Sequence, residues 1–406
     1  MRRSILALVL GAVVALAGCG SDGGSVAGGS GGSGGSNGFQ ELYDQGLTKY
    51  VDEFNPDGEP TFDEENGITT FRFAVPGDPA AEPRGPLCLR GTEYTVDTRE
   101  GTSDKLVIFL QGGGACWDTF CSAFEETNFL RDSSGGILDP SFEANPVADW
   151  DVVYLPYCDG SLFAGDVDRV LPGSLAGGGG EPSMGYQRGL QNLTAALDIA
   201  SETFPNPSRI LLTGVSGGAF GTIVAMPLVR DYYPATEILV FNDSGVGVAK
   251  EGDAEFIEET LLAGWNASSL IPASCPECTS NGHITRYIDW QLAADDNFTM
   301  SALSYSADQV IAGIFLMTPA EDFTASLLAE TERTTTMFVD RYKRFIPVDT
   351  AHTAILREGP AVDTDAGFRI GGLATEIDDV TVLEWFTAMI DGTEVWNDLV
   401  DPSLLE

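Results

Sequence analysis

One glycine-flanked serine in this chain has the sequence context of a nucleophile. Residues 214–218 read G-V-S-G-G, a G-x-S-x-G pattern between the apolar run 210–213 and an apolar segment with helical spacing. This context predicts a sharp strand-to-helix turn that exposes Ser216 at the carboxyl end of a sheet. The N-terminus of the next helix would stabilise developing negative charge there. Because the chain has 48 glycines, a purely structural turn is the alternative interpretation.

A nucleophilic serine needs a general base, and the chain contains two histidines, His283 and His352. In hydrolases with this turn, the order along the chain is serine, acid, histidine. His352 follows a strand-like segment, 344–347, near the end of the fold. His283 precedes a predicted strand and would therefore lie at the opposite edge of the sheet. We predict that His352 is the base.

The third group is a carboxylate, which would fix the histidine tautomer and stabilise the imidazolium. It should follow a strand that lies between Ser216 and His352 in the sequence. Four aspartates are candidates: Asp243, Asp289, Asp295 and Asp296. Asp296 is preferred, ahead of Asp295, because both follow residues 284–293, which read as a strand. Asp243 ranks third.

A glycine run could stabilise the oxyanion of an acyl-transfer reaction. Residues 111–114 read Q-G-G-G and follow the apolar run 105–110. One oxyanion donor is expected from the backbone N–H of Gly217, directly after the serine, and a second from a loop after an earlier strand. The glycine run fits that second position, with a flexible turn as the alternative.

The elements that must position these residues alternate between strands and helices. Apolar strands that alternate with helices predict an α/β fold with a mainly parallel central sheet and helices on both faces. We expect a single domain over 39–406. The predicted strands are 69–75, 93–97, 105–111, 150–157, 209–213, 236–242 and 284–293. The predicted helices are 185–203, 218–231, 307–324 and 380–391.

Composition limits the possible partners. Apolar residues make up 43% of the chain, enough for a large core, while 61 acidic and 21 basic residues give a formal net charge of −40. Nucleic acid is excluded as an expected partner, because its phosphates must be neutralised by Lys and Arg. The same charge repels polyanions such as unesterified pectate.

The N-terminus predicts export and lipid attachment. Two arginines precede a short apolar stretch, and residues 16–19 read L-A-G-C, a bacterial lipobox pattern. We expect a signal peptide over 1–18, diacylation of Cys19 and a Gly/Ser-rich tether over 19–38. The protein would then be exported and held at the bacterial cell envelope by its lipid. A plain signal peptide with an incidental cysteine is the alternative.

Six cysteines remain after Cys19, and an even number in an exported chain predicts three disulfides. The close spacings favour 116/121 and 275/278, which leaves 88/158. A zinc site at the C-x-x-C is not expected, because the chain has no second C-x-x-C and contains only two histidines. The cysteines are Cys88, Cys116, Cys121, Cys158, Cys275 and Cys278.

Five segments together resemble the pectin acetylesterase/Notum family of carboxylesterases. This resemblance implies an α/β-hydrolase fold and the removal of acyl groups from ester-bearing polymers or proteins without a cofactor. The segments are F-L-Q-G-G-G-A-C-W (109–117), P-Y-C-D-G-S-L-F-A-G-D (156–166), G-V-S-G-G-A-F-G (214–221), A-A-D-D-N-F (293–298) and D-T-A-H-T (349–353).

The resemblance also implies roles for individual residues. Ser216, Asp296 and His352 match the family's nucleophile, acid and base. Gly113, Gly114 and Gly217 match the oxyanion positions of the family. Two of the family's disulfide bridges correspond to Cys88–Cys158 and Cys116–Cys121.

Three departures concern the walls of the acyl pocket. Many relatives carry Trp where this chain has Gly114 or Ala115. They often have A-G after the nucleophile, where this chain has Gly217-Gly218. The residue after His352 is Thr353 and not cysteine. We expect a monomeric esterase that removes acetyl or other short acyl groups from a polysaccharide such as pectin. The alternatives are a deacylase or lipase for longer chains, a peptidase and a non-catalytic glycan-binding lipoprotein.

Overall fold

A computed structural model of the chain describes residues 38–78, 84–133, 135–176, 178–365 and 367–406. The predicted signal peptide, Cys19 and residues 20–37 of the predicted tether lie outside the described residues. The lipid anchor and the domain boundaries therefore stay predictions. In the part of the chain that is described, no helix is both long enough and apolar enough to span a membrane.

A ten-stranded sheet lies at the centre of the described structure. Its spatial order is β1-β2-β3-β5-β4-β6-β7-β8-β9-β10, with antiparallel pairing from β1 to β5 and parallel pairing from β5 to β10. The strands in chain order are β1 (Thr61–Asp63), β2 (Ile68–Phe73), β3 (Tyr94–Arg99), β4 (Lys105–Leu110), β5 (Asp151–Leu155), β6 (Arg209–Val215), β7 (Glu237–Asp243), β8 (Phe298–Leu303), β9 (Tyr342–Ile346) and β10 (Leu399–Val400).

Helices connect and cover these strands. The α-helices are α1 (Gln40–Asp44), α2 (Gly189–Thr203), α3 (Gly217–Tyr232), α4 (Thr285–Ala294), α5 (Ala320–Met337) and α6 (Val382–Asp391). Two π-helical segments span Phe256–Ala263 and Ile311–Phe315. Short 3₁₀ segments span Leu130–Asp132, Gly136–Leu138, Ser268–Leu270, Pro276–Gly282 and Pro402–Leu404.

The sheet separates two hydrophobic cores, and the residues of β4 alternate between them. Leu106, Ile108 and Leu110 pack in the core that contains the buried residues of α2 and α3. Val107 and Phe109 pack in the other core, against buried residues of α6. Burial on both faces explains why β4 is a continuous apolar run. The predicted fold class, a mainly parallel sheet covered by helices on both faces, is confirmed.

The register of the parallel strands brings four loops to one edge. Leu110 of β4 lies opposite Gly214 of β6, and the end of β6 lies opposite Asp243 of β7. Asp243 in turn lies opposite Leu303 of β8, whose other neighbour is Phe345 of β9. The loops that follow β4, β6, β8 and β9 therefore begin side by side, which is the edge where open α/β sheets place their sites.

Two predicted elements are wrong. Residues 284–293 form helix α4, and the strand at this point is β8, which begins at Phe298. The buried residues of α4 recur with helical spacing, as Tyr287 with Gln291 and Ile288 with Leu292. The predicted helix over 307–324 is divided, because Pro319 has an extended conformation and precedes the first residue of α5.

All three predicted disulfides, Cys88–Cys158, Cys116–Cys121 and Cys275–Cys278, are present. The Cys116–Cys121 bridge closes a hairpin of Gly114–Trp117 with Phe120–Ala123. Three disulfides are typical of a protein that folds in an oxidising compartment. Further short strand pairs join Val167–Leu171 to Ser183–Gln187, Val362–Asp363 to Arg369–Ile370, and Glu376–Ile377 to Val380–Thr381.

Candidate active site

Ser216 occupies the sharp turn between β6 and α3. Its backbone has φ 54° and ψ −121°, a conformation that costs a non-glycine residue free energy and is concentrated at functional sites. The turn is held from the neighbouring strand, because the Ser216 N–H donates to the carbonyl oxygen of Asp243 at 2.8 Å. This is the strained strand-to-helix turn that the G-x-S-x-G pattern predicts.

The two flanking glycines are required by close backbone contacts. A Cβ atom on Gly214 would lie 2.5 Å from the carbonyl oxygen of Gly218, and one on Gly218 would lie 2.1 Å from that of Leu110. Any side chain at either position would push α3 away from β4 and β6. The glycines therefore set how closely the turn that carries Ser216 packs on the sheet.

His352 pairs with a carboxylate that the sequence analysis did not identify. Its Nδ1 lies 2.8 Å from Oδ2 of Asp308, and both side chains are buried. The other carboxylate oxygen of Asp308 accepts the backbone N–H groups of Val310 and Ile311, at 2.9 and 3.0 Å. Since these bonds hold Asp308 rigidly, its contact with Nδ1 leaves Nε2 as the ring nitrogen that can accept a proton.

The predicted contact between Asp296 and His352 is wrong. The Asp296 side chain is 93% exposed and forms an ion pair with Arg341 at 3.2 Å. Asp295 caps the end of α4 and pairs with Arg230, while Asp289 lies within α4 and pairs with Arg333.

The error has a topological cause. Because 284–293 is a helix, Asp295 and Asp296 precede β8 and lie at the amino edge of the sheet. Asp308 follows β8 and reaches the carboxyl edge. Recognition of β8 from its sequence F-T-M-S-A-L would have directed the search to the next aspartate, Asp308.

Asp243 lies near the His352–Asp308 pair, but its carboxylate holds the backbone that follows His352. Its Oδ2 accepts the N–H groups of Ala354 and Ile355, at 2.7 and 2.9 Å, and so fixes the loop directly after His352. Burial raises the pKa of Asp243 to about 6, against the opposing effects of the two amides and of nearby His352. Asp243 thus touches the His352 loop without contacting the imidazole through a hydrogen bond.

Charge around His352 favours the protonated imidazole. Burial lowers the pKa of His352, but the charge and hydrogen bond of Asp308, together with the charge of Asp243, outweigh burial and raise it above 6.5. His283 is different, because its Nδ1 accepts the N–H of Ala249 at 2.9 Å and burial lowers its pKa. His283 is therefore a structural residue held in a loop.

The glycine run lies against Ser216. A Cβ on Gly112 would lie 2.9 Å from the Ser216 Cβ, and Gly114 has φ +89° with no room for a side chain next to the Ser122 carbonyl. Gly113 accepts the N–H of Phe124 at 3.0 Å, which ties the run to the disulfide-closed hairpin. The predicted oxyanion residues Gly113, Gly114 and Gly217 thus surround the serine, and their role as donors stays a prediction.

Two cavities meet at Ser216. The first is a pocket of about 180 Å³, whose walls are mostly aromatic and aliphatic. The second is more open and also contains His352. The apolar lining of the first comes from Phe120, Leu162, Phe220, Val310, Ile311, Ile314, Phe315 and Phe368.

The segment Y-C-D-G-S (157–161) positions Leu162, the next residue, in the wall of the apolar cavity. Ser161 donates to the buried carboxylate of Asp159, whose pKa burial raises to about 6. The next residue, Leu162, has φ 55° and donates its N–H to the Tyr157 hydroxyl at 3.0 Å. These bonds hold the Leu162 side chain in the lining of the cavity, 3.3 Å from a Cβ built on Gly217.

Comparison with known proteins agrees with this architecture. The family model for pectinacetylesterase matches residues 79–252. The crystal structure of the Wnt deacylase Notum from Drosophila superposes with a TM-score of 0.52 at 16% identity, over 78% of this chain and 93% of that chain. The chain is therefore similar to pectinacetylesterases over residues 79–252 and shares its fold with Notum.

Curated relatives carry both family names. Pectin acetylesterase 11 of Arabidopsis thaliana is 24% identical over 48% of this chain and 53% of its own length. Palmitoleoyl-protein carboxylesterase notum2 of Xenopus laevis is 27% identical over 34% of this chain and 29% of its own length. The chain thus spans about half or less of the length of the curated relatives it matches, and the family model ends before Asp308 and His352.

Proposed function

We propose that this protein is a serine carboxylesterase with Ser216 as nucleophile, His352 as general base and Asp308 as the acid that orients it. The observation that carries the proposal is the buried His352–Asp308 pair at the sheet edge where the strained Ser216 turn also lies. Ser216 and His352 line one cavity. The similarity to pectin acetylesterases and to palmitoleoyl-protein carboxylesterases supports a hydrolytic role for this arrangement.

The proposed reaction is acyl transfer in two steps. His352 takes the proton of the Ser216 hydroxyl on Nε2 while Ser216 attacks the ester carbonyl. Backbone N–H groups of Gly114 and Gly217 stabilise the oxyanion, and Asp308 stabilises the imidazolium. His352 then protonates the leaving alcohol, and a water that it activates releases the acid and regenerates Ser216.

The apolar cavity suits the acyl group and sets its size. A cavity of about 150 Å³ binds benzene, so about 180 Å³ accommodates on the order of six carbon atoms. We propose that the substrate is an acetyl or other short acyl ester of a polysaccharide such as pectin. The pectin acetylesterases among the relatives support the carbohydrate part of this proposal.

A deacylase for longer chains is the second candidate. It is supported by the apolar lining of the cavity and by relatives named palmitoleoyl-protein carboxylesterases. A longer chain would have to extend out of the cavity or displace part of its lining. The rate as a function of acyl length separates the two candidates.

The three disulfides favour a protein that is exported before it folds. We further propose lipid attachment at Cys19 after removal of residues 1–18. Metabolic labelling with a palmitate analogue in a bacterial host would test this, because labelling should disappear in Cys19→Ala. Labelling that persists in the variant would contradict the anchor.

The catalytic proposal is tested with p-nitrophenyl acetate and with a fluorophosphonate probe that labels activated serines. Wild type should hydrolyse the ester and take up one label. Ser216→Ala should lose both with an unchanged melting curve, with a fall in kcat on the order of 10⁴–10⁶. Equal rates in both proteins would contradict the proposal and favour a non-catalytic binding lipoprotein.

A further inference from the structure

A third cavity borders the open cavity at Ser216, and Phe124 lines both. Phe124 and Ala176 line both the cavity that contains Ser216 and His352 and a neighbouring one lined by polar side chains. The two cavities are therefore neighbours, and together they are called the Phe124 cleft. The residues that line its far part differ from those that line the apolar pocket. A bound ester with its acyl group in that pocket would direct its alcohol into the Phe124 cleft.

Phe124 is an exposed aromatic ring in a fixed position. Phe124 is 43% exposed. Its backbone N–H donates to the carbonyl oxygen of Gly113, and its ring lies 2.7 Å from a Cβ built on Gly113. Because the ring is exposed and lines a cavity at Ser216, a ligand bound there can cover it. Aromatic faces carry partial negative charge, which attracts the slightly positive C–H groups on the face of a sugar ring.

Hydroxyl and amide groups border this ring on both sides. Near Ser216, the Ser133 and Tyr154 hydroxyls lie 2.8 Å apart and line the cleft. The far part of the cleft is lined by Thr92 and Asn128, together with the charged side chains of Arg90, Glu125 and Glu126. Hydroxyl, amide and charged groups beside an aromatic ring suit a ligand rich in hydroxyls, because they can orient it through hydrogen bonds.

The charged groups at the far end favour a neutral ligand. Arg90 forms an ion pair with Glu125 at 2.8 Å, while Glu126 also lines this end. The three charges sum to −1, in a protein whose net charge is −40. An anionic polymer would be repelled there, whereas a neutral sugar chain meets both donors and acceptors.

We infer that the Phe124 cleft is the alcohol subsite of the esterase and binds a neutral oligosaccharide, which within pectin would be a stretch whose carboxyl groups are esterified. The acylated sugar unit stacks on the Phe124 ring, and at least one further unit occupies the part lined by Thr92, Asn128 and Glu126. This inference rests on the proposed function, because it places the acyl group in the apolar pocket and the leaving alcohol in the other cavity that meets Ser216. It makes Phe124 a residue that determines specificity for the alcohol.

The test compares the full chain with three variants of Phe124 and one control. Substrates are acetylated xylose, acetylated xylotetraose and p-nitrophenyl acetate. Phe124→Ala and Phe124→Leu should lower kcat/KM for the tetrasaccharide about three- to ten-fold, and by clearly more than for p-nitrophenyl acetate, whose small leaving group does not reach the far part of the cleft. Phe124→Trp should retain the wild-type preference. Phe62→Ala removes a ring that is 63% exposed on β1 and should change nothing.

Several outcomes would overturn the inference. Equal losses on all three substrates would show that Phe124 supports only the Gly113 loop. Unchanged kinetics, or a wild type that does not prefer the tetrasaccharide over the monosaccharide, would remove the sugar subsite. A wild type that prefers an acetylated galacturonan with free carboxylates would contradict the neutral ligand.

A failure of the proposed function would be visible separately. In that case neither the wild type nor any variant would hydrolyse p-nitrophenyl acetate. Binding of xylotetraose to Ser216→Ala, measured by calorimetry or by ligand NMR, would then still test the cleft. Loss of that binding in Ser216→Ala/Phe124→Ala would support the subsite, and equal binding in both proteins would contradict it.

Discussion

At the scale of single residues, the candidate site depends on two buried carboxylates with different tasks. Asp308 contacts the imidazole of His352 through one oxygen and two backbone N–H groups through the other. Asp243 contacts the backbone after His352. Only a group that contacts the ring can select its tautomer, so substitution of the two aspartates should affect catalysis differently.

Asp308→Asn and Asp296→Asn form a matched pair that tests the corrected acid. Asparagine at 308 keeps an oxygen for the Val310 and Ile311 amides but loses the charge opposite His352. By analogy with other triads, kcat should fall by on the order of 10⁴. Asp296 is exposed and paired with Arg341, so its variant should stay within about two-fold of wild type.

The readouts are kcat on p-nitrophenyl acetate and a melting curve for each protein. A large loss in Asp296→Asn, with Asp308→Asn active, would restore the original sequence-based assignment.

The pKa of His352 predicts a pH profile. A general base must be neutral, so kcat/KM should fall as pH decreases through the pKa of His352. Because that pKa is raised above 6.5, the half-maximal rate should lie above pH 6.5. Asp308→Asn should move the acid limb of its residual activity to lower pH, since the raising charge is removed. A flat profile from pH 5 to 8 would contradict a histidine base.

At the scale of elements, local sequence predicts some parts of the site and not others. The Ser216 turn and its glycines are encoded within five adjacent residues, because the turn geometry itself demands them. The Asp308–His352 contact joins residues 44 positions apart, and its prediction required the correct neighbour of β7 in the sheet. The sequence analysis interpreted α4 as a strand, although the spacing of its apolar residues suits a helix. It therefore placed the acid in the loop before β8 instead of the loop after β8, where Asp308 lies.

The disulfide-closed hairpin offers an element-scale prediction. Cys116–Cys121 closes the hairpin that begins at Gly114, whereas Cys275–Cys278 closes a loop outside the cavities at Ser216. Both loops are short, so loss of either bridge should destabilise the fold by a similar, small entropy term.

Cys116→Ser/Cys121→Ser should nevertheless lower kcat far more than Cys275→Ser/Cys278→Ser, because it loosens the glycine run. The comparison is made at a temperature well below both melting points. Equal activities in the two double variants would show that the hairpin does not need its bridge to position Gly114.

At the scale of the whole molecule, the apolar cavity is a product of distant segments. The hairpin contributes Phe120, the loop after Y-C-D-G-S contributes Leu162, helix α3 contributes Phe220 and the second π-helical segment contributes Phe315. The fold brings all four to Ser216. The sequence analysis located the glycines at its rim but not its size, because no single segment encodes the volume. Acyl specificity is therefore a property of the assembled fold.

The volume of that cavity predicts the dependence of rate on acyl length. Each methylene buried in an apolar pocket contributes about 0.8 kcal/mol, or roughly a four-fold gain in kcat/KM. For p-nitrophenyl esters, kcat/KM should rise stepwise from acetate to about hexanoate and fall once the chain exceeds the cavity. Ile314→Trp, which fills the cavity, should move the optimum towards acetate while leaving the acetate rate within a few-fold of wild type. A rise that continues to palmitate would instead favour the long-chain deacylase, since the chain would then have to bind beyond the walls of this cavity.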